Sequence, residues 1–190
     1  MGRRFRRSCI GTTLCGIVLG ALVVWRLAHP SIRPEDAPPL AEGRYRVEYV
    51  VDGDTLKLAA SPPAGPITVR LIGVDTPETV KRNHPVEPFG PEATQFTRGF
   101  LAGGEARLQF DRERLDVYGR TLAYVWVDDK MLNEELLRAG LARYEPQFHY
   151  SDTMKRRFRK AEGAARAAGR GIWGSAERGA RSAEQKKKAE

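Results

Sequence analysis

Cysteine is almost absent from this chain. Cys9 and Cys15 are the only two in 190 residues, and both lie near the N-terminus. The remaining sequence therefore has neither a disulfide framework nor a cysteine-based zinc site. Histidine is also scarce: His29, His84 and His149 fall in linker or loop stretches, and no H-E-x-x-H helix contains them. There is no G-x-S-x-G elbow, Walker loop or G-x-G-x-x-G turn, which excludes nucleophilic-triad, P-loop and dinucleotide-binding readings. A strong surplus of charge is missing as well, once its location is considered. The chain carries 32 basic and 24 acidic residues, a net of +8. Residues 1–40 contribute +4 and residues 176–190 contribute +2, which leaves 41–175 with 21 basic and 19 acidic residues. Any attraction of this middle region for a polyanion must come from how its charges are arranged.

Long apolar runs are absent with one exception. Ser8 to Trp25 is 18 residues without a charge, preceded by Arg3, Arg4, Arg6 and Arg7 and closed by Arg26. At ~1.5 Å per residue the run just spans a bilayer core. The upstream arginines place the N-terminus in the cytoplasm and the rest outside. Residues 1–28 thus read as an uncleaved signal anchor, a transmembrane helix. A cleaved signal peptide is the alternative, although no clear A-x-A site follows the run. The protein is then single-pass with an extracytoplasmic domain, or secreted if the segment is removed. Residues 29–43 hold Pro30, Pro34, Pro38 and Pro39 and form a linker. Residues 175–190 form a basic, solvated tail.

Between these lies one domain, residues 44–174. Tyr45 to Val51 and Thr55 to Ala59 flank Asp52-Gly53-Asp54, the pattern of a β-hairpin. Ile67 to Val74 is a strand carrying Arg70 mid-run, and Asp75 to Gly90 is a long loop without periodicity. Pro91 opens a helix whose apolar side would be Phe96, Phe100 and Leu101. Strands follow at 106–110 and 121–127. A helix at 131–139 turns Leu132, Leu136 and Leu137 inward, and a last helix to about Ala168 buries Met154, Phe158, Ala161 and Ala165. Five short strands with about three helices predict an α+β fold, a five-stranded OB-type barrel, partly open, with helices packed on it.

The chemistry-bearing residues are acids and arginines. Asp52, Asp54, Asp75 and Glu78 all fall at strand ends. Carboxylates gathered there repel one another unless a hard cation neutralises them, and oxygen donors suit Ca²⁺ or Mg²⁺. Arg70 and Arg120 offer planar forks suited to a phosphate. Any one of these alone would be unremarkable: D-G-D is a common turn, and Arg70 could pair structurally with a carboxylate.

Together the segments resemble the signatures of the staphylococcal nuclease (thermonuclease) family. Asp52-Gly53-Asp54-Thr55-Leu56-Lys57-Leu58 and Arg70-Leu71-Ile72-Gly73-Val74-Asp75-Thr76-Pro77-Glu78 carry the first. Asp116-Val117-Tyr118-Gly119-Arg120-Thr121-Leu122 carries the second, and Gly171-Ile172-Trp173 ends the likeness. The resemblance implies hydrolysis of DNA and RNA phosphodiesters with Ca²⁺, leaving 3′-phosphates. By position, Asp54 and Asp75 would ligate the metal through carboxylates and Thr76 through its backbone carbonyl. Glu78 would act as general base or orient the attacking water, and Arg70 and Arg120 would hold the phosphate. Tyr118 would line the nucleotide pocket, with Tyr144 as a second substrate-binding aromatic. Val117 stands where the family usually has a basic residue. The expected partners are a nucleic acid substrate and, through residues 1–28, a membrane; the expected state is a monomer. The competing readings are a non-catalytic OB-fold module that binds nucleic acid or peptide, and a membrane-anchored structural protein with an unrelated ligand. Domains that only bind usually lack the acids or the arginines, and this sequence has all of them.

Overall fold

The computed structural model describes residues 40–59, 65–79 and 86–174. The elements run β1 (Gly43–Val50), β2 (Thr55–Leu58), β3 (Ile67–Leu71), β4 (Val74–Asp75), α1 (Gly90–Phe100), β5 (Glu105–Gln109), β6 (Thr121–Val127), β7 (Lys130–Met131), α2 (Leu132–Ala139), β8 (Arg143–Tyr144) and α3 (Asp152–Ala167). The compact unit begins at Glu42. The uncharged run at 8–25, residues 29–39 of the linker and the basic tail lie outside the described residues; Gly43, expected to close the linker, instead opens β1. Among the described residues no helix is long and apolar enough to cross a membrane.

Strands β3-β2-β1-β5-β6 pair in that order, and a β3–β6 pairing joins the two ends. The barrel is therefore closed, where the sequence predicts a partly open one. The seam is parallel, Val69 against Thr121 through Leu71 against Ala123, while the other strand pairs are antiparallel. Closure removes exposed edges and leaves the short β7 and the two-stranded β4–β8 ladder outside the ring. Leu56, Leu58, Val69, Leu71, Leu108, Leu122 and Val125 are wholly buried. At roughly 1.5–3 kcal/mol for each fully buried aliphatic side chain, this interior is the main source of cohesion.

α2 buries Leu132, Leu136 and Leu137 as the periodicity predicts, and Gly140 ends it in a left-handed turn (φ 72°). Asn133 on the same helix is also buried. Its amide nitrogen donates to the carbonyls of Ile72 (3.0 Å) and Ala123 (3.3 Å), and its oxygen accepts from the Val125 N–H at 3.0 Å. One side chain thus bolts a helix to the barrel seam. In α3, Phe158 meets Tyr124 edge-on, with centroids 5.9 Å apart, and lies 6.1 Å from Tyr150.

Three differences from the sequence reading have simple causes. α1 buries Gly90, Ala93, Thr94 and Thr97, while Phe96 and Phe100 stack on each other at 6.3 Å on its half-exposed side. The helix approaches the barrel through small residues, so its bulkiest positions do not mark its inner face. Met154 of α3 is only half-buried. The strand expected through Val74 breaks at Gly73, and the chain then forms the two-residue β4, which pairs with β8.

Gly73 has φ +78°, and a Cβ there would lie 2.8 Å from the Phe158 ring and from the Tyr150 hydroxyl. Gly73→Ala therefore combines a left-handed backbone penalty of about 1–2 kcal/mol with overpacking of about 1–3 kcal/mol. Urea unfolding of the variant should show a loss of at least ~2 kcal/mol; an unchanged midpoint would contradict the packing described.

Candidate active site

Asp54 ends the Asp52-Gly53-Asp54 turn that leads into β2. A Cβ on Gly53 would come within 2.8 Å of Ala93 and Thr76, so only glycine lets this turn press against α1. The Thr97 hydroxyl donates to the Gly53 carbonyl at 2.6 Å and ties the turn to that helix. Arg70 stands opposite Thr55 in the β2–β3 ladder. Its guanidinium is buried, with Nη1 2.7 Å from Asp54 Oδ2 and Nη2 2.9 Å from Asp75 Oδ1. Nη1 also donates to the Val74 carbonyl at 2.8 Å. One cation thus joins an acid from the β1–β2 turn to an acid from β4.

Asp54 Oδ2 also accepts the Thr76 backbone N–H (2.8 Å) and the Thr76 hydroxyl (3.0 Å), while Oδ1 accepts the Thr55 hydroxyl at 3.0 Å. Asp52 Oδ1 accepts the Asp54 N–H at 3.1 Å. Burial, and next the charge of Asp54, pushes the Asp52 carboxyl up to about 6. The same two causes raise Asp75, with Arg70 opposing them. Glu78 follows on the rim, where its Oε1 accepts the Thr79 N–H at 3.0 Å.

The other wall is the turn before β6. Asp116 Oδ1 accepts the N–H groups of Tyr118 and Arg120, each at 2.9 Å, and Oδ2 takes Arg120 Nε at 2.6 Å. Asp116 is desolvated, but these bonds outweigh that and hold its carboxyl below the usual range. Arg120 uses Nε for this contact, and its guanidinium lies 5.5 Å from the Tyr118 ring centroid. Tyr118 is 81% exposed at the tip, beside Val117 at 92%.

Asp54, Arg70, Asp75, Thr76, Glu78, Tyr118 and Arg120 all line one polar cavity of about 380 Å³, together with Asp52, Thr55 and Pro77. Tyr144 does not line it. It sits in β8 opposite Val74, half-buried, with Arg159 over its ring at 5.8 Å. Asp116 lies within the second signature, and the sequence pattern alone assigns it no role. An Asp three residues ahead of a turn glycine, here Gly119 at φ +76°, was the available signal.

The donors in the cavity are oxygens only: carboxylates, threonine hydroxyls and backbone carbonyls. Four carboxylates face two guanidiniums there, and the upward displacement of Asp52 and Asp75 is what crowded, partly desolvated negative charge produces. Such a set fits a hard divalent cation. Among the described residues no three acids or histidines already converge on one point. A cation would therefore draw on two carboxylates, with other oxygens and water completing its shell.

A polar barrel-rim cavity of acids and phosphate-sized cationic forks defines a class of phosphodiester-hydrolysing enzyme. A family model described as "Staphylococcal nuclease homologue" matches residues 68–175. The chain is 44% identical over 124 residues to the thermonuclease of Staphylococcus hyicus, covering 64% of this chain and 72% of that protein. To the thermonuclease of Staphylococcus intermedius it is 50% identical over 109 residues, covering 56% and 64% respectively. To the endonuclease YncB of Bacillus subtilis it is 41% identical over 132 residues, covering 67% and 60%. The chain belongs to the staphylococcal nuclease family, and its enzyme class is that of a phosphodiester-hydrolysing nuclease.

The Asp116–Arg120 pair is testable on a short substrate. Asp116→Asn should lower dinucleotide turnover about tenfold, equivalent to ~1.4 kcal/mol, by loosening Arg120. In an Arg120→Ala background the same change should cost nothing further. Additive losses would show that Asp116 acts by another route.

Proposed function

We propose that this protein is a calcium-dependent, sugar-nonspecific nuclease that cleaves DNA and RNA and leaves 3′-phosphate ends. The observation that carries the reading is the gathering of Arg70 and Arg120 with Asp54, Asp75 and Glu78 around one cavity. Asp54 and Asp75, with the Thr76 carbonyl, would hold the cation. When bound, calcium supplies positive charge against the phosphate and its developing negative charge.

The chain's own residues do the remainder. A phosphodiester anion repels an incoming oxygen nucleophile, and the pentacoordinate transition state carries a further negative charge. Arg70 and Arg120 offset this charge, and their planar forks fix the orientation of the phosphate. Glu78, at the cavity rim, accepts the proton from water as its oxygen bonds to phosphorus. The bond from phosphorus to the 5′-oxygen then breaks, and that oxygen takes up a proton from solvent. Tyr118, exposed at the rim, offers a ring to the adjoining nucleotide. A location outside the cytoplasmic membrane, anchored or released, accords with residues 1–28 and with the greater supply of calcium there.

The test is digestion of labelled single- and double-stranded DNA and of RNA by the 190-residue chain, with calcium and with chelator. Cleavage should require calcium, and end-labelling should find 3′-phosphates. Glu78→Gln and Arg70→Lys should each lower turnover by roughly two orders of magnitude or more, since Gln cannot take the proton and Lys lacks the fork. Unfolding curves recorded in parallel separate this from loss of fold. Full activity in chelator would overturn the metal dependence; wild-type rates in either variant would overturn the role assigned.

A further inference from the structure

The domain is nearly neutral, but α3 is not. Residues 152–167 carry six basic side chains against Asp152 and Glu162, a net of +4. The whole of 41–175 is 21 basic against 19 acidic residues, so the domain outside α3 is net negative. Two of the six cations are occupied: Arg157 Nε donates to Glu134 at 2.7 Å, and Arg166 pairs with Glu162 at 3.1 Å. Lys155, Arg156, Arg159 and Lys160 have no acidic partner among the described residues. They occur as two i, i+4 pairs, Lys155 with Arg159 and Arg156 with Lys160, on adjacent ridges of the helix. Like charges at that spacing disfavour a helix, and among the described residues no acidic side chain offsets them; Arg156 bonds only the Thr153 hydroxyl, at 3.2 Å.

The inner ridge is held on aromatic rings. Lys155 Nζ lies 5.1 Å from the Tyr150 centroid and Arg159 lies 5.8 Å from that of Tyr144. Tyr144 is preceded in β8 by Arg143, which is exposed, lies 5.0 Å from the Trp173 centroid, and has no acidic side chain bonded to it among the described residues. Arg143 is the register partner of Asp75, and it lines a second cavity together with Asp75, Thr76, Pro77 and Glu87. The cations thus lie on two adjoining elements, β8 and α3, which meet where Arg159 covers the Tyr144 ring. This strip of cations runs from Arg143, beside Asp75 in the β4–β8 ladder, to α3.

We propose that this strip is a second nucleic-acid-binding surface that grips the phosphates of the substrate strand away from the cleavage point. The inference rests on the nuclease reading for the identity of the polymer, but not on any catalytic residue. Guanidiniums and an ammonium set over rings keep their charge while losing little further freedom on binding. A polyanion would relieve the mutual repulsion of the strip and release its own counterions. An anionic membrane is the weaker match. The apolar residues of α3, Phe158, Ala161 and Ala165, are buried against the domain, so no apolar face is left to enter lipid.

The test uses the 190-residue chain and its R156Q/R159Q/K160Q variant. On a 30-nucleotide oligo(dT), KM should rise about tenfold, and the slope of log KM against log salt should flatten by about 2, three lost contacts at ~0.7 each. Turnover of a dinucleotide, too short to reach α3, should not change. An R156K/R159K/K160R variant, which keeps the charges, should restore the KM. An unchanged KM on oligo(dT), or an equal loss on the dinucleotide, would overturn the proposal. So would lost binding to phosphatidylserine–phosphatidylcholine vesicles with the oligo(dT) KM intact. Fluorescence anisotropy with oligo(dT) in chelator gives a readout without turnover. If the chain cleaves nothing yet the glutamine variant binds the strand more weakly, the nuclease reading fails and this surface stands.

Discussion

A guanidinium buried in a protein must be matched, because desolvating its charge costs several kcal/mol. Arg70 is matched twice, by Asp54 on one side and Asp75 on the other, and its fork also caps the Val74 carbonyl. Removing one member of such a group typically costs about 3–5 kcal/mol. The group therefore connects two chain segments that the barrel alone would leave independent: the turn before β2 and the short β4 beyond β3. Stability and site geometry meet in the same side chain. This also explains why a barrel strand gives an interior position to arginine rather than to another aliphatic residue.

The barrel supplies the fixed frame for that group. Asp54 enters from the turn before β2, Arg70 from β3 and Arg120 from the turn before β6; β3 pairs with β2 directly, and the β3–β6 seam brings the third element alongside. Asn133 bonds the carbonyls at the end of that seam. The Ala123 carbonyl also accepts the Ile72 N–H at 3.1 Å, so the Asn133 amide adds a second bond there and a partner for the Ile72 carbonyl. A helix residue remote from the cavity thus helps keep Arg70 and Arg120 on one wall. The two walls are held by different means: hydrogen bonds to Asp54 on one, and the Asp116-ordered turn on the other.

What could be read from the sequence was what is local. The D-G-D-T turn, the run from Arg70 to Glu78 and the D-V-Y-G-R turn each place their chemistry within a few residues of a strand end, so short-range pattern and family likeness both reach them. The strands and two of the helices were legible for the same reason. Features set by contact between distant segments were not. β4 and β8 are two residues each and stabilise one another, so neither has a period of its own. α1 docks through Ala93, Thr94 and Thr97, which no hydrophobic count would select over Phe96 and Phe100. Tyr144 lies in an aromatic stretch without periodicity, and only the fold shows that it belongs beneath α3 and not at the cavity. The positive balance of the chain misdirects in a similar way: most of it sits at the two ends, while the part that matters to the domain is concentrated on one helix.

The pairing of β4 with β8 is only two residues long, yet Asp75 is on it. So brief a ladder is held by Arg70 and by the bond from the Tyr144 N–H to Glu162 as well as by its own hydrogen bonds. The floor of the cavity is thus built on strands of the closed ring, while Asp75 on its rim stands on a ladder outside that ring.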